Sequence, residues 1–242
     1  MNNAYGETSN KVYSDVDGID EVRGLIGKYA SSRLIDNFIL NLSKSSSVPK
    51  TAVVFPPLIY GRGRGPVNQR SVQVPELAKA TLQRRGAIQV GKGQSIWSNV
   101  HITDISQIFV QLVEKAVQGE EGDFWNENGL YFAENGGLVR KLDFQKYICT
   151  LLTHTQQTFH QISQSIAQEA HKLGLVDSLS VAELTHGQAD ELSGHAGILW
   201  GTNAREEAQR ARKLLGWSPS GRSLTEEIPA AVEVEKERLG LK

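Results

Sequence analysis

Thr51-Ala52-Val53-Val54-Phe55-Pro56-Pro57-Leu58-Ile59-Tyr60-Gly61 is the stretch from which the rest of the chain can be placed. Its first five residues form a short, mostly β-branched apolar run that two prolines stop, and such a run suits a strand buried in a parallel sheet. Upstream, Leu34, Ile35, Phe38, Ile39 and Leu42 recur at helical spacing, which predicts a helix from about Tyr29 to the Ser45-Ser46-Ser47 run. A helix followed by a buried strand is half of a βαβ unit. Residues 1–18 are rich in Asn, Gly, Ser and Asp without periodicity and predict a loop or arm.

Downstream of Tyr60, the run Gly61-Arg62-Gly63-Arg64-Gly65-Pro66-Val67-Asn68-Gln69-Arg70 is too rich in Gly and Arg for regular structure, and a helix is expected over 75–85. A loop with several donors thus follows a strand's C-terminal end, where ligands bind in open α/β sheets. Short strands are expected at 88–90, 97–102 and 129–132. Asp104 is the expected cap of a helix that aligns Ile105, Ile108, Phe109, Leu112, Val113 and Ala116. Ile162, Ile166, Ala167, Ala170 and Leu173 mark another helix before Gly174, and the polar, helical remainder breaks at Trp217-Ser218-Pro219.

The 242 residues, 39% hydrophobic and 22% charged, suit one large or two small globular domains. A net charge of −1 with dispersed basic residues argues against nucleic acid or a membrane surface as a partner. The lone Cys149 excludes an internal disulfide and fits a reducing compartment; it has no evident general base. The polar start has no signal-peptide pattern, so a cytoplasmic location is the expectation. The six His residues show no metal-ligand spacing, so no metal is expected.

Tyr29 and Arg33, four apart on the expected helix, would share a face. A Tyr, with its pKa of about 10, exchanges protons at neutral pH only if a fixed positive charge lowers that value. The same pair could equally be surface packing of Tyr with Arg.

Order and spacing add to this. Tyr29-x-x-x-Arg33 resembles the Tyr-x-x-x-Lys helix of extended short-chain dehydrogenases, the NAD-dependent epimerase/dehydratase family. Residues 55–61 resemble that family's Pro-rich turn with Tyr-Gly, and Val100-His101-Ile102-Thr103-Asp104-Ile105 its Val-His-x-x-Asp-Val segment. Leu215-Gly216-Trp217-Ser218-Pro219 is similar to its usual ending. The resemblance implies an α/β fold: a partial Rossmann-like parallel sheet with flanking helices, plus a small, mostly helical C-terminal substrate lobe. Residues 1–60 would be the remnant of the NAD(P)-binding domain, and 61–242 the substrate-binding region, with helix 104–118 packing back on the sheet. It further implies Tyr29 and Arg33 as the catalytic pair, and Phe55, Pro56, Pro57 and Leu58 against the cofactor, NAD or NADP. Tyr60, Arg64, Arg70, Trp97 and His101 would meet a small-molecule or sugar-nucleotide-like substrate. Arg62 is a further loop cation, and a homodimer stays open.

The departures matter as much. Arg33 is a rigid fork in place of a flexible Lys. No Gly-x-x-Gly-x-x-Gly turn occurs in the sequence, and neither the strands that would precede Tyr29 nor its assisting Ser or Thr is found. The expectation is therefore a truncated member whose ability to hold NAD(P), and whose activity as it stands, are open, and whose sheet edge is exposed to aggregation. The alternative is a non-catalytic protein, an NmrA-like dinucleotide sensor or a pseudoenzyme acting through a partner. Residues 138–158 are long for a connection, and two readings stand: translated intron, or an inserted helix with Phe144, Tyr147, Ile148, Leu151 and Leu152 on one face.

Overall fold

A computed structural model describes residues 4–42, 44, 49–136 and 156–242. Cys149 and most of the 138–158 segment, with both readings of it, lie outside the described residues.

In chain order, β1 (Tyr13–Ser14) precedes α1 (Ile19–Lys28), α2 (Leu34–Leu42), β2 (Val53–Phe55) and β3 (Leu58–Tyr60). Next come α3 (Gln73–Arg84), β4 (Ala87–Val90), β5 (Asn99–His101), α4 (Ile102–Val117) and β6 (Leu130–Phe132). Beyond the undescribed stretch stand α5 (Phe159–Lys172), β7 (Val181–Leu184), α6 (His186–Leu192), α7 (Ala196–Gly201), β8 (Glu206–Glu207) and α8 (Leu224–Arg238). The strands form parallel pairs throughout: β1 with β8, β2 with β6, β3 with β5, and β4 with β7. Parallel neighbours need crossover connections, and the helices between them supply these. The α/β class expected from the sequence is the class observed.

Pro56 and Pro57 mark a change of partner. The chain pairs with β6 before them and with β5 after them, and proline, which has no N–H, fits a point where neither ladder continues. Beyond β6, the Asn135 N–H donates to the Asn99 carbonyl at 3.0 Å and joins the two pairs. Two apolar cores result. The larger gathers Leu58, Tyr60, Leu77, Ile88, Ile166 and Trp200 from β3, β4, α3, α5 and α7. The other gathers Val22, Val100, Ile108, Tyr131 and Trp217 around β5, β6 and α4.

Several expectations need correction. The helix expected from Tyr29 is two helices, for Tyr29 is the C-cap of α1 and a turn over 29–33 leads into α2. Its apolar face is not buried: Leu34, Ile35 and Phe38 are 70%, 74% and 65% exposed. β2 is half-buried rather than fully buried, because among the described residues no strand pairs with its other edge. The N-terminal arm is held in place. Gly6 donates to the Gly201 carbonyl and accepts from Gln94 N–H, both at 2.7 Å, and Tyr13–Ser14 pairs with β8.

Asp104 does not cap α4. That position belongs to His101, whose Nδ1 accepts from the Thr103 N–H, while the buried Asp104 carboxylate accepts from the Ser220 and Gly221 N–H groups. The apolar face of α4 divides, with Ile105, Ile108 and Leu112 buried and Phe109 and Val113 facing solvent.

Candidate functional site

Strand β3 ends at Tyr60, and Gly61 turns the chain out with φ +84°. A side chain could not replace its hydrogen, since a Cβ there would lie 2.5 Å from His101 Nε2. The loop that follows closes on itself. Gly63 N–H donates to the Gln69 carbonyl at 2.9 Å, Arg62 Nε donates to Gln69 Oε1 at 2.9 Å, and Gln69 Nε2 donates to the Gly65 carbonyl at 3.0 Å. Arg70 then pins the loop to the body through Glu235 at 2.7 Å and Glu76 at 2.6 Å. The Glu235 carboxylate is buried on α8, and its bond with Arg70 helps hold the guanidinium above its already high ordinary pKa.

Beneath this loop lies a cavity of about 410 Å³, walled by Pro57 and Ile59 from the bent strand, Ile102 from the start of α4, Leu199 from α7, and the segment Asn68 to Gln73. It opens at the C-terminal ends of the neighbouring parallel strands β3 and β5, the place where open parallel sheets take their ligands. A second hollow of about 540 Å³ lies on the other side of the loop, against Ala231 and Val234 of α8.

The expected site residues fall in different places. Arg70 and Pro57 line the cavity. Phe55 packs edge-on against Phe132 at 6.1 Å, Pro56 is exposed, and Leu58 is buried in the larger core. The Tyr60 hydroxyl donates to the Arg222 carbonyl at 2.9 Å and accepts from Asn135 Nδ2 at 2.7 Å. Burial, with the negative charge of Asp104 next in weight, pushes that hydroxyl's pKa far above its ordinary value, so Tyr60 stays neutral. Trp97 Nε1 donates to the Thr202 carbonyl at 2.8 Å. His101 Nδ1 is 2.6 Å from Thr103 Oγ1, and its ring meets Tyr60 edge-on at 5.5 Å. Arg64 is exposed on the loop.

Tyr29 and Arg33 have different charged neighbours. The Lys28 ammonium stands 5.6 Å from the centre of the Tyr29 ring, and Arg33 pairs with Asp36 at 3.3 Å. Both side chains are exposed, and neither lines the cavity. The loop that the sequence singled out includes Asn68, but Ser71, Val72 and Leu199 were passed over. Ser71 and Val72 stand between that loop and the start of α3, a position that could have flagged them; Leu199 arrives from far along the chain with no local signal.

A carboxylate cluster also went unnoticed. Asp15 accepts from the N–H groups of Phe132, Gln209 and Arg210 at 2.9–3.1 Å, and Glu134 accepts from Arg212 at 2.8 Å. Glu206 accepts from the Ala133 N–H at 3.2 Å. Burial, with Glu134 and Asp15 as like charges nearby, raises the Glu206 carboxyl well above its ordinary range. Among the described residues no cluster of His, Cys, Asp and Glu could hold a metal ion, and no helix is long and apolar enough to cross a membrane.

No model of a known protein family matches the chain. A curated protein named oxidase ucsJ, from an Acremonium species, is 33% identical over 245 residues, covering 98% of this chain and 65% of that protein. Among solved structures, the dTDP-glucose 4,6-dehydratase DesIV from Streptomyces venezuelae, with NAD and TYD bound, superposes with a TM-score of 0.59 at 14% identity. That match covers 98% of this chain and 58% of DesIV. UDP-glucose 4-epimerase from Thermotoga maritima, with UDP-glucose, gives a TM-score of 0.52 at 16% identity, over 98% of this chain and 61% of the epimerase. The RMD protein from Pseudomonas aeruginosa, complexed with NADPH, gives 0.51 at 14% identity, over 87% of this chain and 56% of RMD. The chain thus spans about three fifths of the length of these relatives. Its parallel strand pairs and flanking helices have the fold of the extended short-chain dehydrogenases of the NAD-dependent epimerase/dehydratase type.

Proposed function

We propose that this chain supplies the substrate-holding part of an NAD(P)-linked oxidoreductase- or epimerase-like protein, with a small molecule seated under the loop between β3 and α3. The cavity at the C-terminal ends of β3 and β5 carries the proposal. The likeness to a protein named as an oxidase supports a redox role.

The cofactor fits only in part. Pro57 lies beside the cavity, where a nicotinamide would have to meet a substrate. The dinucleotide's phosphates need a Gly-rich turn opening onto a helix N-terminus. Among the described residues α1 is entered through Gly18 alone, α4 follows β5 with no glycine between them, and the glycine-bearing loop before α3 closes on its own Gln69, so these residues do not cradle the phosphates. The Tyr-x-x-x-Arg resemblance names Tyr29 as the proton-exchanging group, but its side chain is exposed and outside the cavity wall, so the cavity itself gives that role no support.

A melting screen of alcohols, ketones and sugar nucleotides, with and without NAD or NADP, tests the cavity. A ligand of the folded state raises Tm. Ligands that raise the Tm of the chain but not that of Leu199→Trp, which fills the space, are expected; a set that leaves Tm unmoved would sink the proposal. For any ligand turned over with NAD(P), Tyr29→Phe should lower the rate by about a hundredfold or more. Turnover that survives this change would move proton transfer to another group.

A further inference from the structure

We infer that the cavity under the loop is built for an uncharged, largely apolar molecule bearing a ketone or hydroxyl oxygen, and not for a nucleoside-diphosphate sugar. This inference rests on the proposal that the cavity is the substrate site.

Charge is the first ground. A diphosphate taken out of water needs cations whose charge is free to answer it, because an uncompensated buried anion is costly. Arg70 is the one charged residue in the cavity wall, and it faces two carboxylates, Glu235 at 2.7 Å and Glu76 at 2.6 Å. The Nε and one Nη of that guanidinium are thus already committed to protein carboxylates. Lys79, 3.7 Å from Glu76, and Arg238, 3.8 Å from Glu235, bring the cluster to three cations and two acids, but neither lines the cavity. The loop's other cations are outside the wall: neither Arg62, held by Gln69, nor the exposed Arg64 lines it.

The wall itself is the second ground. Pro57, Ile59, Ile102, Leu199 and Val72 present hydrocarbon, and Val72 is 56% exposed although it sits at the mouth of a cavity. A volume of about 410 Å³ falls within the range of small-molecule sites. The polar groups that remain suit a neutral oxygen. Among the described residues the Ser71 hydroxyl has no partner, and Asn68 uses only its Oδ1, on the Arg70 N–H at 3.1 Å. The start of α3 adds backbone N–H groups, but Pro75 contributes none and Glu76 places a negative charge in the first turn. One or two donors on an apolar wall match a carbonyl or alcohol.

Val72→Asp separates the outcomes. Val72 is the residue before α3 and makes no side-chain cap, so an Asp there meets the favourable end of the helix dipole while setting a negative charge on the apolar wall. Saturation-transfer NMR on the full chain would use tetralone and androstenedione as neutral ketones, and UDP-glucose and dTDP-glucose as charged probes. The expected result is transfer to at least one ketone, weakened about tenfold or more by Val72→Asp in a variant whose circular dichroism melt is intact, and none to the sugar nucleotides. Ketone binding that ignores Val72→Asp lies elsewhere and overturns the inference. Sugar-nucleotide binding that the substitution weakens also overturns it, yet leaves the cavity as the substrate site. If no probe of either kind binds, the inference and the proposed function fall together.

Discussion

Glu206 sits where the arm, β6 and the segment after α7 converge, with the Ala133 N–H as the donor to its carboxylate and two other acids close by. Its pKa is raised in the folded chain, so the folded state holds its proton more tightly than the unfolded state does. Stability is then greatest below the ordinary carboxylate value of 4.5 and declines as pH rises from there through the raised value. Asp15 shifts in the same direction for the same first cause, burial, partly offset by its three backbone donors. Glu206→Gln keeps an acceptor for Ala133 and removes the charge. It should stabilise the chain at neutral pH and flatten the loss above pH 4.5, as read from urea unfolding at several pH values. A variant no more stable than the parent at pH 7 would show that Glu206 is not the strained group. Little of this could be read from the sequence, because Asp15, Glu134 and Glu206 are brought together only by tertiary structure. The single helix expected through Tyr29 and Arg33 is broken for a local reason, since α1 ends at Tyr29 and a turn leads into α2.

Strong periodicity at the level of elements proved a sound guide to existence and a poor one to burial. α3, α4 and α5 stand where the apolar spacing put them, and the Pro56-Pro57 break does separate two strands. Yet α2, with an equally regular pattern, has no buried residue, and Val72 and Phe109 also face solvent. Spacing reports which side chains share a face, but what meets that face is set by the rest of the fold. The exposed apolar row of α2 and, among the described residues, the unpaired edge of β2 each favour association between chains. Ile35→Lys, at a position 74% exposed, should change unfolding free energy by no more than about 0.5 kcal/mol while lowering light scattering in concentrated solution. A large loss of stability would instead mean that Ile35 is covered in the monomer.

The whole molecule divides its stability unevenly. The larger core joins α3, α5, α7, α8, β3 and β4, whereas α1 and α2 lean on the other core through few residues. Local opening is cheapest where little apolar surface is buried. Backbone amides of α3 and α5 should therefore exchange with deuterium slowest and those of α2 fastest; comparable protection in α2 and α5 would contradict this division. The α/β class was legible in the sequence because helix and strand periods alternate along it, but the cavity was not, since its wall is drawn from positions as distant as Pro57 and Leu199.

The union of β1 with β8 bears on how the chain acquires this form in time. Asp15 and Arg210 are bonded across 195 positions, and Tyr13 has its strand partner at Glu206. Contacts of such separation form late, because a long loop must close before they reward it. On the ribosome, where a chain emerges from its N-terminus, the arm must wait with its ladder groups bare until β8 has been made. The first strand of the sequence is thus among the last to be seated, and through that interval a nascent chain carries an unpartnered edge that a chaperone or a neighbouring copy could take.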